Sequence, residues 1–153
     1  MQANQLMSKP AITCHVNDSL GLAARLMWDH DCGAVAVVND DGKLVGMLTD
    51  RDICMAAYTQ GRSLDAMLVN SAMASNAIAA RAGSSISDVE AAMAAYQIRR
   101  MPVVDDQGAP IGMITMNDLA RACAHATGQR GQHELVETLA AICEPRAETA
   151  RAA

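Results

Sequence analysis

The sequence predicts a mixed α/β (α+β) fold in which one β-α-β-β-α unit occurs twice, the copies packing as a pseudo-twofold pair before a C-terminal helix. The first observation is that the stretch 46–53 returns as 112–119, with Gly, Met, an aliphatic residue, Thr and Asp in the same order. The second is that the same offset of 66 positions (112 − 46) relates Met27 to Met93 and Gly42 to Gly108. Such a repeat indicates one supersecondary unit used twice.

The first unit is predicted over residues 7–62. Asp18 or Ser19 caps its first helix, in which apolar residues fall at helical spacing, and Thr49 caps its second. Residues 39–42 have the composition of a hairpin turn with Gly at the position that needs positive φ. The predicted elements are a helical turn near Met7, strands at 11–14, 33–38 and 43–48, and helices at about 20–30 and 50–59.

A linker with a short helix is predicted over 63–76, and the second unit over 77–127 repeats the order of the first. Its predicted elements are strands at 77–80, 101–104 and 110–114, a helix opened by Ser85, and a helix capped by Thr115 that runs to about residue 126.

A Gly-containing break over 127–131 precedes the C-terminal helix, which is predicted over 132–144. Its apolar residues form a single stripe, namely Leu135, Val136, Leu139, Ile142 and Cys143. Pro145 ends this helix, and the tail 146–153 is predicted to be frayed.

Composition argues against several classes of function. The net charge is −5 with no basic run, and the only aromatic residues are Trp28, Tyr58 and Tyr96, so a nucleic-acid interface is not expected. No apolar run approaches the roughly 18 residues that span a bilayer, and the first residues lack the apolar stretch of a signal peptide. We therefore expect a cytoplasmic protein with no membrane segment.

Five cysteines are spread along the chain without a CxxC pair. This pattern is typical of reduced thiols in a core rather than a disulfide framework. The four histidines form no ligand spacing with the cysteines, so no metal site is predicted. No pattern of catalytic side chains emerges either, and we expect a protein that is not an enzyme.

The repeated stretch has two interpretations. In the first, Thr-x-x-Asp at a strand-to-helix junction is a capping box, as at Ser85-Ile86-Ser87-Asp88. In the second, the preceding glycine lets a ligand approach the strand, the helix amides suit a phosphate, and the carboxylate accepts from the two hydroxyls of a ribose. The presence of both copies in register favours the nucleotide cradle.

These β-α-β-β-α units, which end in Gly-h-h-Thr-x-x-Asp (h, apolar), resemble CBS domains. Two in tandem resemble the CBS pair or Bateman module, and the resemblance covers about residues 7–127. Met101-Pro102-Val103-Val104-Asp105 after Ile98-Arg99-Arg100 also matches. The resemblance implies a regulatory protein that binds AMP, ADP, ATP or S-adenosylmethionine and requires no other cofactor, although copies that bind nothing are also common in the family.

The resemblance also implies the residues of two clefts. Early strands would hold adenine by backbone hydrogen bonds and apolar contact, middle strands would form the wall, and Thr and Asp would bind the ribose. The first cleft would comprise Ile12, Thr13, Cys14, Val35, Ala36, Thr49, Arg51 and Asp52. The second would comprise Ile78, Ala79, Ala80, Arg99, Arg100, Met101, Pro102, Thr115 and Asp118.

The two copies differ in charge. Arg51 corresponds to Asn117, and Arg99-Arg100 correspond to Gly33-Ala34. A cleft could therefore take an arginine from the neighbouring unit, or Arg99 and Arg100 could lie at a solvated strand entrance. We expect unequal clefts.

The leading hypothesis is an adenine-nucleotide sensor that forms a homodimer through Ala- and Met-rich CBS helices and signals through its own assembly or an unknown protein partner. The alternative is a stress-related structural dimer with empty clefts. It is kept because Ala140-Ala141-Ile142-Cys143-Glu144-Pro145 resembles small two-CBS bacterial proteins of the hypoxic-response type. A third hypothesis, metal- or thiol-based redox sensing, rests on the cysteines alone.

Overall fold

A computed structural model describes residues 1–125 and 129–145, without the side chains of 125 and 129–131. Within those residues each repeat forms one three-stranded sheet, so the predicted fold class is confirmed. The elements are α1 (Ala3–Leu6), β1 (Thr13–His15), α2 (Leu20–Asp29), β2 (Ala34–Val38), β3 (Leu44–Thr49), α3 (Asp50–Gln60), β4 (Ala80–Arg81), α4 (Ile86–Tyr96), β5 (Arg100–Val104), β6 (Pro110–Thr115), α5 (Met116–His125) and α6 (Gln129–Cys143). Short 3-10 turns at Leu64–Ala66 and Val69–Ser71 replace the single short helix predicted in the linker.

The two sheets have the same topology. In each, the first strand pairs parallel with the second, and the second pairs antiparallel with the third. The register breaks at equivalent places, between Val37 and Val38 and between Val103 and Val104. The predicted caps and turns are also present: Ser19 and Ser85 accept from helix amides, and Gly42 and Gly108 have φ of 71° and 86°.

Strand β4 is shorter than the predicted strand at 77–80. In the first sheet the amide of Ala36 donates to the carbonyl of Ile12 at 3.1 Å, which holds the strand entrance in place. The equivalent of Ala36 is Pro102, which has no N–H to donate. This is the physical reason why pairing begins only at Ala80.

Each unit is preceded by a short segment that packs on the other unit, so the two segments are exchanged. Residues 1–8 pair with the second unit, where the amides of Ala3 and Ile86 donate to the carbonyls of Ser84 and Met1 at 2.9 and 3.2 Å. Residues 67–74, just before the second unit, pair with the first in the same way: Val69 and Leu20 donate to Asp18 and Met67 at 2.8 Å each. Each of these bonds maps onto its counterpart through the offset of 66. The predicted boundaries at 7 and 63–76 therefore do not coincide with the packing units.

The exchange explains the repeated glycines. Ala74 pairs with Met47 beside Gly46, and Ser8 pairs with Met113 beside Gly112. A Cβ on Gly46 would lie 2.7 Å from the carbonyl oxygen of Ala74, and one on Gly112 would lie 2.9 Å from that of Ser8. The close approach predicted at these glycines is thus made by the chain's own backbone.

Two apolar clusters form the cores, one in each unit. The first includes Leu20, Leu48 and Val69, and the second includes Met93, Ile114 and Ala3. The exchanged segments therefore supply side chains to both cores. Cys14 also lies in the first core, where burial and, secondarily, the charge of Asp18 raise the pKa of its thiol to about 12. Cys54 and Cys143 are exposed, so the prediction that all cysteines lie in a core is wrong for these two.

Helix α6 packs on α4 and α5. It begins at Gln129, so the predicted break is helical at 129–131, while residues 126–128 and the tail 146–153 lie outside the described residues. Gly131 is tolerated because its helical cost of about 1 kcal/mol is small compared with docking of the whole helix. The predicted stripe is split: Leu135 and Ile142 pack on the second core, whereas Val136 is 61% exposed and Leu139 40% exposed.

The contact face of α6 includes Thr138 instead, which is buried. Its hydroxyl donates to the carbonyl of Glu134 at 2.9 Å, so a polar residue is satisfied inside the interface. The contact face also meets Glu90 of α4, which is only 8% exposed. Burial, and secondarily the charge of Glu134 on α6, raise the pKa of Glu90.

Alanine at Gly46 or Gly112 should destabilise the protein by about 1–3 kcal/mol, because a Cβ there collides with a backbone carbonyl that cannot move alone. Thermal unfolding of Gly46→Ala and Gly112→Ala measures the effect. Gly83→Ala is the matched control, since a Cβ there meets nothing within 4 Å. Equal melting temperatures for all three variants would contradict the exchanged packing.

A neutral residue at Glu90 should stabilise the protein at neutral pH. A carboxyl whose folded pKa is raised favours the folded state below its unfolded pKa, and this contribution is lost as the pH rises through the folded value. The melting temperature of Glu90→Gln should therefore exceed that of the parent at pH 7, with a gap that narrows towards pH 4. The exposed Glu137→Gln is the control, and a pH-independent gap at Glu90 would refute the explanation.

Cysteine labelling should separate the thiols by burial and pKa. Because the thiolate is the reactive form, Cys14 should remain unmodified by an aromatic disulfide reagent at pH 8, while Cys54 and Cys143 react within minutes. Mass spectrometry of the digested protein assigns each site. Labelling of Cys14 as fast as Cys54 in the folded protein would show that the first core is open.

Candidate functional site

The first candidate site lies where β3 passes into α3. Oδ2 of Asp52 accepts from the amide of Thr49 at 2.9 Å and from its hydroxyl at 2.7 Å, and the Thr49 hydroxyl accepts from the amide of Asp52 at 3.2 Å. The capping-box interpretation is therefore confirmed. Both bonds that the Asp52 carboxylate accepts end on Oδ2, so within the described residues Oδ1 remains available as an acceptor.

The second junction, from β6 into α5, has the same bonds. Oδ2 of Asp118 accepts from the amide and hydroxyl of Thr115 at 2.8 and 2.6 Å. Here, however, the other carboxylate oxygen is engaged, because the guanidinium of Arg121 donates to Oδ1 of Asp118. Asp118 is 4% exposed, so this ion pair closes over a buried carboxylate.

Arg121 was missed by the sequence reasoning. Its counterpart in the first repeat is Met55, which cannot donate a hydrogen bond. The first junction therefore has no side chain equivalent to Arg121 that could engage the second carboxylate oxygen. The i,i+3 spacing of Asp118 and Arg121 was visible in the sequence and is a known helical pairing distance. The sequence does not show which carboxylate oxygen of Asp118 accepts the hydrogen bond from Arg121.

The predicted strand residues divide between two faces of each sheet. Four of them have side chains inside the cores and cannot offer apolar side-chain contact to a ligand: Cys14, Val35, Ala80 and Met101. Since side chains alternate along a strand, their neighbours Thr13, Ala36 and Pro102 lie on the opposite face, as do Thr49 and Thr115. The prediction that these four side chains line the clefts is therefore wrong. Only their backbone atoms can face a ligand at the junctions.

The strand entrances also differ from the prediction. Ile12 and Ile78 pack against the two cores, and Ala79 is exposed. The carbonyl of Ile12 already accepts from Ala36, whereas that of Ile78 cannot receive the equivalent bond because Pro102 has no N–H. The carbonyl oxygen of Ile78 therefore lacks the hydrogen bond that the equivalent carbonyl of Ile12 accepts.

Arg100 crosses from the second unit to the first. A Cβ on Gly33 would lie 2.7 Å from Nη2 of Arg100 and 2.9 Å from Oδ2 of Asp50, so glycine leaves room for both side chains. Asp50 directly follows Thr49, which places the guanidinium beside the first junction. Arg51 and Arg99 are exposed at the rims.

An open cleft of about 410 Å³ lies between α2 and α3 and shares Asp50 with the surroundings of the first junction. It contains none of the predicted site residues and is lined by Ala24, Met27, Trp28, Asp31, Cys32, Asp50 and Ile53. Over the described ranges, no three of the His, Cys, Asp and Glu side chains are grouped so that they could hold a metal ion. In the same part of the chain, no helix is both long and apolar enough to cross a bilayer.

Comparison with known sequences agrees with the repeat. The CBS domain family model matches residues 3–58 and 69–125. Hypoxic response protein 1 of Mycobacterium tuberculosis is 30% identical over 145 residues, covering 95% of this chain and 96% of that protein. L-aspartate semialdehyde sulfurtransferase of Methanocaldococcus jannaschii is 33% identical over 116 residues, covering 76% of this chain. The match spans only 22% of the sulfurtransferase.

Solved structures show the same architecture. The CBS domain pair of protein MJ0100, in complex with 5′-methylthioadenosine and S-adenosyl-L-methionine, matches with a TM-score of 0.74 and 31% identity over 81% of this chain and 96% of that one. Hypoxic Response Protein I with two coordinated zinc ions matches with a TM-score of 0.73 and 29% identity over 83% and 100%. Two matched domains, the shared topology and the relative that covers nearly the whole chain establish that this protein belongs to the CBS domain family and carries two CBS domains in tandem.

Proposed function

We propose that this CBS pair is a regulatory protein that binds an adenosine-containing ligand, AMP, ADP, ATP or S-adenosylmethionine, and signals through the conformation of a dimer or a partner. The observation that carries the proposal is the state of Asp52, whose Oδ2 completes the capping box while Oδ1 accepts nothing from the described residues. A ribose diol supplies the two donors that such an oxygen lacks. Hydrogen bonds to a carboxylate are about twice as strong as neutral ones.

The rest of the ligand would lie along the face of the first sheet that is opposite the core and carries Thr13, Ala36 and Thr49. Thr13 and Ala36 are paired there. Strand β1 is at the edge of the sheet, so its backbone can bind adenine, whereas β2 is paired on both sides. The carbonyl of Ile12 keeps a second lone pair after accepting from Ala36, so it can still receive the adenine amino group. The small side chain of Ala36 leaves room for a ring.

The phosphates or the sulfonium group would lie towards α3. The N-terminus of α3 carries a partial positive charge, and Arg100 of the second unit approaches the same junction. Asp50 offsets part of this charge, which favours a ligand of modest negative charge over ATP. Arg51 at the rim would contribute in a screened, solvent-exposed position.

The second cleft would bind more weakly or bind a different ligand. Arg121 occupies Oδ1 of Asp118, so a ribose must displace an ion pair before it can use that oxygen. Charge and hydrogen bonding together favour the first cleft, in accordance with the expectation that the two are unequal.

The relative MJ0100 supports the ligand class. At 31% identity, its CBS pair is described in complex with 5′-methylthioadenosine and S-adenosyl-L-methionine. We further propose that the chain is regulatory and not an enzyme. The sulfurtransferase name carries no activity to this chain, because the match covers only 22% of that protein.

A structural dimer with empty clefts is the second candidate function. It is favoured by the similarity to Hypoxic response protein 1 over 95% of the chain and by capping boxes that are complete without a ligand. Ligand titration decides between the two candidates.

Asp52→Asn tests the ribose role without removing the cap. The remaining oxygen can still accept from Thr49, while an NH2 group replaces the acceptor offered to the ribose. We expect affinity for the preferred ligand to fall by roughly 1.5–3 kcal/mol, about tenfold to a hundredfold. Calorimetry with AMP, ADP, ATP and S-adenosylmethionine measures it, and a hundredfold excess of ligand over Kd should stabilise the parent by about 2.7 kcal/mol.

Asp88→Asn is the control, because Ser85 and Asp88 form a cap at α4 with the same two side-chain bonds, although without the bond from the N-cap amide. It should lower stability by no more than a lost cap does, about 0.5–2 kcal/mol, and leave affinity unchanged. Silence of all four ligands at millimolar concentration in the parent would reject the sensor and leave the structural dimer. Equal affinity of the parent and Asp52→Asn would place the ribose elsewhere.

The protein should be a homodimer through its CBS helices. Exposed apolar side chains remain on α2 and α3, at Leu22, Met55 and Tyr58, and Tyr58 is 83% exposed. Sedimentation at micromolar concentration should show a species of about twice the 16.1 kDa chain mass. A single 16.1 kDa species over that range would contradict the dimer.

A further inference from the structure

The first turn of α3 has no backbone donor left for a phosphate. The first four N–H groups of a helix lack partners within the helix, and here the chain itself supplies an acceptor for each of them. The amides of Thr49 and Asp52 are used in the capping box. The amide of Asp50 donates to the carbonyl of Gly33 at 3.2 Å, and that of Arg51 donates to Oδ1 of Asp50 at 2.8 Å. The phosphate site expected at this helix terminus is therefore filled by the chain's own acceptors.

The second junction differs at one of these positions. The counterpart of Asp50 is Met116, which has no carboxylate to accept from the amide that follows it. The other amides are used as in the first unit. Met116 donates to the carbonyl of Arg99 at 3.0 Å, and Thr115 and Asp118 form the capping box. Asp50 is thus the residue that removes the last backbone donor at the first junction.

Asp50 also adds a negative charge to the first junction. Its Oδ1 accepts from the amide of Arg51, and its Oδ2 accepts no hydrogen bond from the described residues. Asp52 lies two residues further along the same helical turn. A phosphate at this place would face two carboxylates, and like charges repel one another more strongly near a protein surface than in bulk water.

Arg100 supplies the opposite charge beside the same glycine. Its guanidinium and Oδ2 of Asp50 both lie within 3 Å of the position that a Cβ on Gly33 would take. Neither group forms an ion pair within the described residues, so this cation and this anion both remain available. At the second junction the equivalent residues are Ala34 and Met116, which carry no charge. The pair of opposite charges therefore distinguishes the first cleft.

We propose that the first cleft selects an adenosine whose 5′ carbon carries a zwitterionic α-amino acid, with the ammonium bound by Asp50 and the carboxylate bound by Arg100. This selectivity rests on the proposed function, in which Asp52 holds the ribose and the 5′ substituent lies towards α3. An α-amino acid carries both charges on one carbon atom, so it suits a carboxylate and a guanidinium that flank one glycine. The guanidinium can bind a carboxylate through two parallel hydrogen bonds.

A nucleotide meets less favourable conditions in this cleft. Its phosphate can still bind Arg100, but it faces the charge of Asp50 and finds no backbone donor at the start of α3. Each further phosphate adds negative charge near the same carboxylate, so affinity should fall from AMP to ATP. Asp50 is therefore the residue that determines specificity, since Arg100 alone would favour a phosphate.

Three adenosines that differ only at the 5′ carbon test the selectivity by calorimetry. S-adenosylhomocysteine carries the amino acid without a sulfonium charge, 5′-methylthioadenosine carries a neutral thioether, and AMP carries a phosphate. At the site that Asp52→Asn weakens, S-adenosylhomocysteine should bind about tenfold more tightly than 5′-methylthioadenosine. Each of its two contacts is a partly exposed ion pair, which contributes up to about fivefold. AMP should bind no more tightly than 5′-methylthioadenosine.

Two variants separate the two charges. Asp50→Asn keeps an acceptor for the amide of Arg51, and it should reduce the preference for S-adenosylhomocysteine over AMP by about tenfold, because the ammonium loses its partner and the phosphate loses a repulsion. Arg100→Gln should weaken S-adenosylhomocysteine and AMP by up to about fivefold each and leave 5′-methylthioadenosine unchanged. Asp41→Asn and Arg25→Gln are the controls, because they make the same charge changes at exposed positions on the hairpin turn and on α2.

The outcomes distinguish this selectivity from the proposed function. If the three adenosines bind with equal affinity, or if AMP binds most tightly, the cleft binds adenosine but the selectivity is overturned. It is also overturned if Asp50→Asn and Arg100→Gln lower the melting temperature without changing the affinity ratios, since the two side chains then serve only stability. Silence of all three ligands at millimolar concentration rejects the proposed function and the selectivity with it. Thermal unfolding verifies that each variant folds.

Discussion

The close backbone approach at Gly46 and Gly112 is the constraint on which the rest of the structure depends. At each glycine the edge of a sheet meets the segment that leads into the other unit, with the added Cβ position within 3 Å of a carbonyl oxygen. Neither unit is complete alone, because Val69 and Ala3 fill cores that belong to the opposite repeat. The pair therefore folds as one body with reciprocal contacts, and the two junctions are held in a fixed relation.

The fixed relation allows the two copies to diverge in chemistry while keeping the same geometry. Both Thr-x-x-Asp stretches form a capping box, so the stretch has a structural role whether or not a ligand binds. The free oxygen of Asp52 and the engaged oxygen of Asp118 then differ only because Met55 in one copy is Arg121 in the other. One substitution therefore separates a carboxylate with an oxygen that has no partner among the described residues from one whose two oxygens are both engaged.

The helical faces have diverged in the same way. In the second unit α6 covers the groove at the cost of burying Glu90 beside Glu134, whereas in the first unit the equivalent groove is open and lacks that carboxylate. The duplicated fold thus has α6 packed on one groove, while no helix of the described residues covers the other.

The sequence by itself determined the repeat, the order of strands and helices, the caps at Ser19, Thr49 and Ser85, and the glycine turns, because these depend on local spacing and on the bonds of neighbouring residues. Only the tertiary structure decided the exchange of residues 1–8 and 67–74, the shortening of β4 by Pro102, and the rotation of α6 that buries Thr138 and exposes Val136. It also decided that Cys14 and Val35 face a core and that Arg121 closes one junction. Each of these depends on contacts between segments far apart in the chain, and side-chain periodicity does not specify which segment supplies the partner.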